Sequence, residues 1–148
     1  MVYQITFRTK WADFDANKHM RHTAYNDYAA ECRVSFFNEN GLPLEQFEIH
    51  NFGPILFKEE TTFYREIKLG EQLTVDLVLQ GCSKQGERFK MLHHIYKADG
   101  VLAAEIKIYA AWIDLSKRKL TTPPISVVDM FNTLDKTADF EEIQLKKS

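Results

Sequence analysis

The chain has 148 residues, of which 45% are hydrophobic and 27% are charged, and its formal net charge is −2. This length and composition suit one domain with a substantial core and exclude a disordered chain. The charge argues against a nucleic-acid or anionic-lipid partner, and no apolar run approaches the roughly 20 residues of a membrane helix. The first residues lack the order of a signal peptide, and two cysteines, Cys32 and Cys82, give neither a disulfide framework nor a metal-binding spacing. We therefore expect a cytoplasmic protein with no membrane partner.

The first half of the chain predicts one strand and one long helix. Polar and apolar residues alternate over 2–9, which indicates a first strand. A polar loop follows from Lys10 to about Met20, and a helix is predicted from about Thr23 to Asn38, with Gly41 as its stop. Apolar residues on this helix recur at helical spacing and form one face: Tyr25, Tyr28, Ala29, Cys32 and Phe36.

The second half predicts strands joined by short turns. Alternating or apolar runs indicate strands over 54–67, 72–82, 87–97 and 101–114, and Asp99-Gly100 is a strong hairpin signal. Pro123-Pro124 ends the sheet, and a short helix over about 125–134 is expected. The domain is expected to span 1–135, and the charged residues 136–148 are expected to form a mobile or loosely docked tail.

This order of elements predicts an α+β fold. A meander of four long antiparallel strands with one apolar face needs a cover, and the single long helix is the available one. An antiparallel sheet wrapped around one long central helix is the hotdog fold, although the order of elements alone also fits other α+β folds.

Titratable and polar side chains crowd the loop just before the helix: Asp13, Asp15, Asn17, His19 and His22. The first turn of a helix offers free N–H donors and a partial positive charge, which can polarise a carbonyl and hold an oxyanion. A nearby carboxylate can attack that carbonyl or activate a water. Acidic and amide residues before a helix are also ordinary caps, so the spacing alone leaves capping and catalysis open.

A resemblance favours catalysis. It is carried by residues of fixed spacing in the loop and helix: Asp13, Asp15, Asn17, His19, Met20, Tyr25, Tyr28, Glu31 and Arg33. This run resembles the signature of the hotdog acyl-CoA and acyl-ACP thioesterases, including the 4-hydroxybenzoyl-CoA thioesterase-like branch, and its Asp-x-Asn-x-His part resembles the acyl-ACP branch. Weaker similar patterns extend along the chain: Gly53-Pro54-Ile55, Tyr64-Arg65, Leu69-Gly70-Glu71 and Trp112-Ile113-Asp114.

The resemblance implies roles for individual residues. Asp15 takes the place of the catalytic aspartate, with Asn17 and His19 as its polar partners. The backbone N–H groups of Arg21 and His22 would polarise the thioester carbonyl. Many relatives have two asparagines at these last two positions, but a backbone donor survives that change.

The resemblance also implies a substrate and an assembly. The substrate would be a small-molecule acyl thioester, cleaved without a metal or redox cofactor, with CoA or an acyl carrier as part of the substrate. Tyr25 and Tyr28 are expected to pack as core, and they are the candidates for lining the acyl pocket. Relatives form homodimers, often homotetramers, with the pocket at the shared interface, so we expect a homo-oligomer.

Several alternatives stay open. Asp13 is expected to hold the loop, Glu31 is a second candidate acid on the helix, and a metal could in principle bind Asp13, Asp15, His19 and His22. Other functions compatible with the fold are a hydratase or dehydratase acting on carrier-bound acyl chains, and a non-catalytic acyl-CoA-binding protein. The sequence does not separate CoA from acyl carrier protein, or a nucleophilic from a general-base role for Asp15.

Overall fold

The computed structural model describes residues 2–146 and confirms an α+β hotdog architecture. Its helices are α1 (His22–Glu39), α2 (Leu44–His50) and α3 (Ile125–Phe131). Its strands are β1 (Tyr3–Arg8), β2 (Phe52–Phe63), β3 (Gln72–Ser83), β4 (Arg88–Lys97), β5 (Leu102–Asp114) and β6 (Lys136–Ile143). No helix in the described part of the chain is long and apolar enough to cross a bilayer.

Helix α1 lies against the sheet through the predicted apolar face. Tyr25, Tyr28, Ala29, Cys32 and Phe36 are all buried. Their spacing places them on one side of the helix, so burying that side also covers the apolar face of the sheet. The helix ends one residue after the predicted position, and Gly41 follows in the left-handed region with φ of 81°.

The strand order in the sheet is β1-β3-β4-β5-β2, so β2 does not pair with the strand that follows it. The predicted meander is therefore right for β3, β4 and β5 but wrong for β2, which crosses to the far side of the sheet and pairs with β5. Strand β2 ends at Phe63, four residues earlier than predicted. The Asp99-Gly100 hairpin joins β4 to β5 as expected, with Gly100 N–H donating to the carbonyl of Lys97.

Aromatic side chains fill the end of the core that is remote from the predicted catalytic loop. Trp112 on β5 is fully buried, and five other aromatic rings have centroids within 6.3 Å of its ring. These five are Phe37, Phe47, Phe52, Phe89 and Phe131. They come from α1, α2, β2, β4 and α3, so one cluster ties most elements together.

Two segments differ from the sequence-based expectation. Helix α2 was not predicted, because it is only seven residues long and buries only Phe47. Residues 136–143, expected to be a loose tail, form strand β6, which pairs with β3 in parallel. The Leu79 N–H donates to the carbonyl of Asp135 at 2.9 Å, and a Cβ on Gly81 would lie 3.3 Å from the carbonyl oxygen of Glu141. Residues 1, 147 and 148 of the predicted domain and tail lie outside the described residues.

Candidate active site

The loop between β1 and α1 folds into a tight turn around Asp15. Asp15 N–H donates to the carbonyl of His19, and Lys18 N–H donates to the carbonyl of Asp15, each at 3.0 Å. The carboxylate oxygen Oδ1 of Asp15 accepts from the backbone N–H groups of Asn17 at 2.9 Å and His19 at 3.2 Å. The second oxygen, Oδ2, has no hydrogen-bond partner among residues 2–146. One half of the carboxylate therefore holds the turn, and the other half is free for chemistry.

Buried neighbours fix the far end of this turn. Met20 is 6% exposed, and its N–H donates to the carbonyl of Ile67 at 3.1 Å. Leu69 N–H donates to the carbonyl of Lys18 at 3.3 Å. Lys18 adopts a positive φ of 64°, a conformation that an L-residue adopts only at some cost. The Asp15 turn is therefore attached to the segment after β2.

Asp13 holds the loop to α1, as expected from the sequence. Its Oδ2 accepts hydrogen bonds from the hydroxyl of Tyr28 and from the N–H of Lys10. Burial, together with the bond to Asp13, raises the pKa of Tyr28. Tyr28 is therefore engaged in holding the loop and does not line the cleft beside Asp15, whereas Tyr25 does.

The start of α1 has free backbone N–H groups, but they are not the predicted pair of Arg21 and His22. The N–H of Arg21, the N-cap residue, donates to the carbonyl of Asp13 at 2.7 Å and so is not free for an oxyanion. The N–H groups of His22 and Thr23 have no acceptor among the described residues. The N–H of His22 is therefore free to bind an oxyanion, as predicted, whereas the N–H of Arg21 is not. The free N–H of Thr23 was not predicted. Thr23 is the second residue of the helix, where an N–H has no intrahelical acceptor, so a correct helix start identifies it.

A cleft of about 660 Å³ opens where these parts meet. It is lined by the loop, the start of α1 and the segment after β2: Asp15, His19, Met20, His22, Tyr25, Phe63, Tyr64, Arg65 and Glu66. The rings of Tyr25 and Phe63 meet edge to face with centroids 5.0 Å apart. His19 Nε2 lies 3.1 Å from a carboxylate oxygen of Glu66, which fixes the imidazole at the cleft wall. The cleft brings together a carboxylate, a helix start and an apolar wall.

A second cavity is also lined by Asp15. It has a volume of about 560 Å³ and is lined by Trp11, Phe14, Asp15, Ala16, Lys18 and Leu69. Asp15 is common to both cavities.

The remaining candidates lie elsewhere. Asn17 contributes its backbone N–H to Asp15 but does not line the cleft, and Glu31 is exposed on α1. Burial raises the pKa of Cys32 to about 12 and lowers that of His93 to about 3, so neither is charged at neutral pH. Within residues 2–146, no group of three or more His, Cys, Asp or Glu side chains could hold a metal ion.

Comparisons with known proteins agree with this fold. A Staphylococcus aureus protein solved in complex with CoA superposes with a TM-score of 0.83 at 21% identity, over 100% of this chain and 90% of that one. A 1,4-dihydroxy-2-naphthoyl-CoA thioesterase from Synechocystis gives a TM-score of 0.81 at 19% identity, over 90% of this chain and 98% of that one. A DHNA-CoA thioesterase from Staphylococcus aureus gives 0.80 at 13% identity, over 89% of both chains.

At these identities the structural likeness shows the fold alone. Among curated proteins, none matches this chain significantly. The family is shown by a sequence match that spans residues 9–141, and so includes the loop, α1 and all of the sheet except β1 and the last two residues of β6. The chain belongs to the thioesterase-like superfamily.

Proposed function

We propose that this protein hydrolyses acyl thioesters in the cleft beside Asp15. One observation carries the proposal: the cleft holds a carboxylate with a free oxygen and the start of α1, where the N–H groups of His22 and Thr23 have no acceptor among the described residues. An acyl-transfer site needs these two parts, a base or nucleophile and a donor for the oxyanion. Membership of the thioesterase-like superfamily supports the same reaction.

In the proposed reaction, Oδ2 of Asp15 takes a proton from water while the water oxygen bonds to the thioester carbon. The carbonyl oxygen becomes an oxyanion and accepts from the N–H of His22 at the positive end of the helix dipole. The C–S bond then breaks, the thiolate takes the proton held by Asp15, and the free acid and thiol leave. A direct attack by Asp15 would instead form an anhydride that water cleaves, and the geometry is compatible with both routes. The chain and water supply every step in either route.

Asn17 and His19 both act on the carboxylate of Asp15 through their backbone N–H groups. Their backbone N–H groups hold Oδ1 and so direct Oδ2 away from the turn. The ring of His19 is held by Glu66 at the wall of the cleft, where it can contact the substrate. We propose a positioning role for Asn17 and a role in both positioning and binding for His19.

CoA is the carrier we propose. Arg65 lines the cleft and is exposed, which suits a phosphate-bearing carrier that approaches from solvent. A structure of similar fold was solved with CoA, and another is a CoA thioesterase. Acyl carrier protein is the alternative carrier, and the assay below separates the two.

We also propose that the protein is a homodimer formed through β2. This strand is the edge of the sheet beyond β5, and 12 residues of it have no partner on their outer side among the described residues. Large apolar side chains on it or next to it are exposed: Leu56 44%, Phe57 44%, Phe63 49% and Tyr64 43%. A long edge strand with exposed apolar residues is a template for pairing with another chain. A second copy would cover it, and because Phe63 and Tyr64 line the cleft, would also close that cleft.

The assay for hydrolysis follows thiol release from a panel of acyl-CoAs and the matching acyl carrier protein thioesters. The decisive variant is Asp15→Asn, which keeps an acceptor oxygen for the turn but loses the base. We expect kcat to fall by about 10²- to 10⁴-fold. Asp27→Asn is the matched control, because Asp27 is exposed on α1 and lies outside the cleft. Equal rates for the Asp15 variant and wild type would refute the assignment of Asp15.

The same panel separates the other functions. Tight binding of acyl-CoA without thiol release would support a non-catalytic binding protein, and water addition to an unsaturated acyl chain would support a hydratase. For the dimer, Phe57→Glu should yield a monomer in sedimentation velocity. Val101→Glu, at a side chain that is 45% exposed on the β4–β5 hairpin, should remain a dimer.

A further inference from the structure

Arg33, in the middle of α1, is a half-buried cation without a carboxylate partner. It makes no ion pair within 4 Å among residues 2–146. Its Nη1 donates a hydrogen bond to Nε2 of His93, at 3.0 Å. Glu59, whose carboxylate favours the charged form of Arg33 without forming an ion pair, is on β2 and exposed. A guanidinium has five N–H donors, so most of those of Arg33 have no partner in the described chain.

His93 orients this guanidinium through a hydrogen bond but does not neutralise its charge. The imidazole is 0% exposed, and its Nδ1 donates to the carbonyl of Asp76 at 2.7 Å, which leaves Nε2 as the acceptor for Arg33. Burial lowers the pKa of His93 to about 3, so it stays neutral. The carboxylate of Asp76 bonds to His94 instead. The guanidinium of Arg33 is therefore held by a neutral partner, and no carboxylate lies within 4 Å of it among residues 2–146.

Arg33 lies at the wall of an otherwise apolar cavity of about 230 Å³ between α1 and the sheet. The cavity is lined by Ala30, Arg33, Val34, Phe37, Pro54, Ile55, Leu56, Phe89, Ile108 and Ala110. A charge beside apolar walls is costly unless an anion joins it with good geometry. The combination of a fixed cation and apolar walls suits a ligand that has an apolar body and an anionic end.

Dimerisation through β2 would place this cavity beside the proposed active site. Two copies of one strand related by a two-fold axis run antiparallel, so the start of β2 in one copy lies next to the end of β2 in the other. Residues 54–56 at the start line the Arg33 cavity, while Phe63 at the end lines the Asp15 cleft. Each cleft would thus adjoin the Arg33 cavity of the second copy.

We propose that Arg33 binds the distal carboxylate of an acyl group whose thioester is cleaved at Asp15 of the second copy. The substrate class is then thioesters of dicarboxylic acids, and Arg33 is the residue that selects them. The planar fork of arginine matches a carboxylate with two parallel hydrogen bonds, which a hydroxyl or methyl end cannot accept. The inference rests on the proposed function, because it assigns the substrate of that same site.

The test compares matched pairs of CoA thioesters that differ only at the distal end: succinyl and butyryl, adipoyl and hexanoyl, suberoyl and octanoyl. Wild type should cleave at least one carboxylated member with a kcat/KM about 10- to 100-fold above that of its methyl-ended partner. Arg33→Met should abolish or reverse this preference, and Arg33→Lys should retain part of it. Arg8→Met is the matched control, because Arg8 is exposed on β1 and lines neither cavity.

A binding measurement makes the result independent of turnover. Free adipate should bind wild type more tightly than hexanoate in calorimetry, and Arg33→Met should lose this difference. If no thioester is cleaved but adipate still binds through Arg33, the proposed function fails and the carboxylate site stands. If methyl-ended thioesters are cleaved as well as carboxylated ones, the proposed function stands and the carboxylate site is overturned.

The other possible partners of Arg33 give different results. If a carboxylate of the second copy satisfies it, Arg33→Met should dissociate the dimer in sedimentation velocity and leave the substrate preference unchanged. If Glu59 satisfies it, Glu59→Gln and Arg33→Met should lower the melting temperature alike, again without a change in preference. Either result overturns the proposal. Should Arg33→Met fail to fold, wild type and Arg33→Lys on the paired substrates still decide the question.

Discussion

The two tryptophans of this chain lie in opposite kinds of surroundings. Trp112 is fully buried at the centre of the aromatic cluster, whereas Trp11, in the loop before α1, is 82% exposed and lines the cavity beside Asp15. The cluster is held by apolar contacts from five elements, and the loop is held by hydrogen bonds to its own backbone, to Tyr28 and to the segment after β2. The aromatic cluster, which stabilises the core, and the proposed active site thus lie at different ends of α1.

The largest change in stability is expected from a substitution in the aromatic cluster. Trp112→Ala should destabilise the protein by about 3–5 kcal/mol, because it removes a buried indole and leaves a cavity among the surrounding rings. Trp11→Ala should change stability by less than about 0.5 kcal/mol, since its ring is in solvent. Urea unfolding of both variants provides the measurement. A similar loss for the two would show that Trp11 is buried in solution, for example against a second copy.

A smaller effect is expected where the loop is attached to the helix. Tyr28→Phe removes the hydroxyl that donates to the carboxylate of Asp13 and should cost about 1.5–3 kcal/mol, because the bond involves a charged group and is partly buried. Activity should fall too, since Asp13 also accepts the bond from Arg21 that starts the helix. Tyr64→Phe is the stability control: its hydroxyl donates to Glu105 at the surface, and its loss should cost under about 0.5 kcal/mol. Unfolding curves that coincide for the two variants would contradict the assigned role of Asp13.

The buried histidine of β4 should make the core sensitive to acid. The pKa of His93 is lowered by burial to about 3, while in an unfolded chain it is about 6.5. Between these values only the unfolded chain binds the proton, so stability falls as the pH drops below about 6.5, with a slope of up to about 1.4 kcal/mol per pH unit. Relative to His93→Gln, wild type should therefore lose about 2 kcal/mol between pH 6.5 and 5. Parallel stability curves for the two proteins would show that this histidine is protonated when folded.

The smallest change in stability is expected from His94, on the outer face of the sheet, and its dependence on pH has the opposite sign. The hydrogen bond from His94 to Asp76 raises the pKa of His94, and the imidazole is partly exposed. A raised pKa stabilises the fold below about pH 6.5, and this contribution is lost as the pH rises through the folded pKa. Wild type should thus lose slightly more stability between pH 6.5 and 8 than His94→Gln. Denaturant midpoints across that range check the sign, and a larger loss in the variant would contradict it.

The elements with strong periodicity were predicted from the sequence, and weaker ones were not. Helix α1 and strands β3, β4 and β5 were predicted to within one residue at each end, since their apolar positions repeat with the period of the structure. Helix α2 and strand β6 bury little, so their patterns carry little signal. The position of β2 beside β5 is a long-range pairing, and nothing local specifies it.

Some residues of the candidate site were likewise predicted from the sequence, and others were not. Asp15, His19 and His22 were predicted from the resemblance and share one cleft in the structure. The N–H of Arg21 is not free, because the loop folds back and the carbonyl of Asp13 accepts from it, whereas Thr23 was missed because the helix was predicted to begin one residue late. The attachment of Tyr28 to Asp13 likewise depends on how the loop lies over the helix.

What the sequence alone determined is the α+β fold class, the apolar face of α1 and the carboxylate before its first turn, because local period and motif encode these. Only the tertiary structure decided which N–H groups stay free, which oxygen of Asp15 is available, and that β2 lies exposed at an edge. The tertiary structure also brings Arg33 into hydrogen-bond contact with the neutral His93, which lies 60 residues away in the sequence. Such pairings depend on the closure of long loops, and the residues involved carry no local signal of their partners.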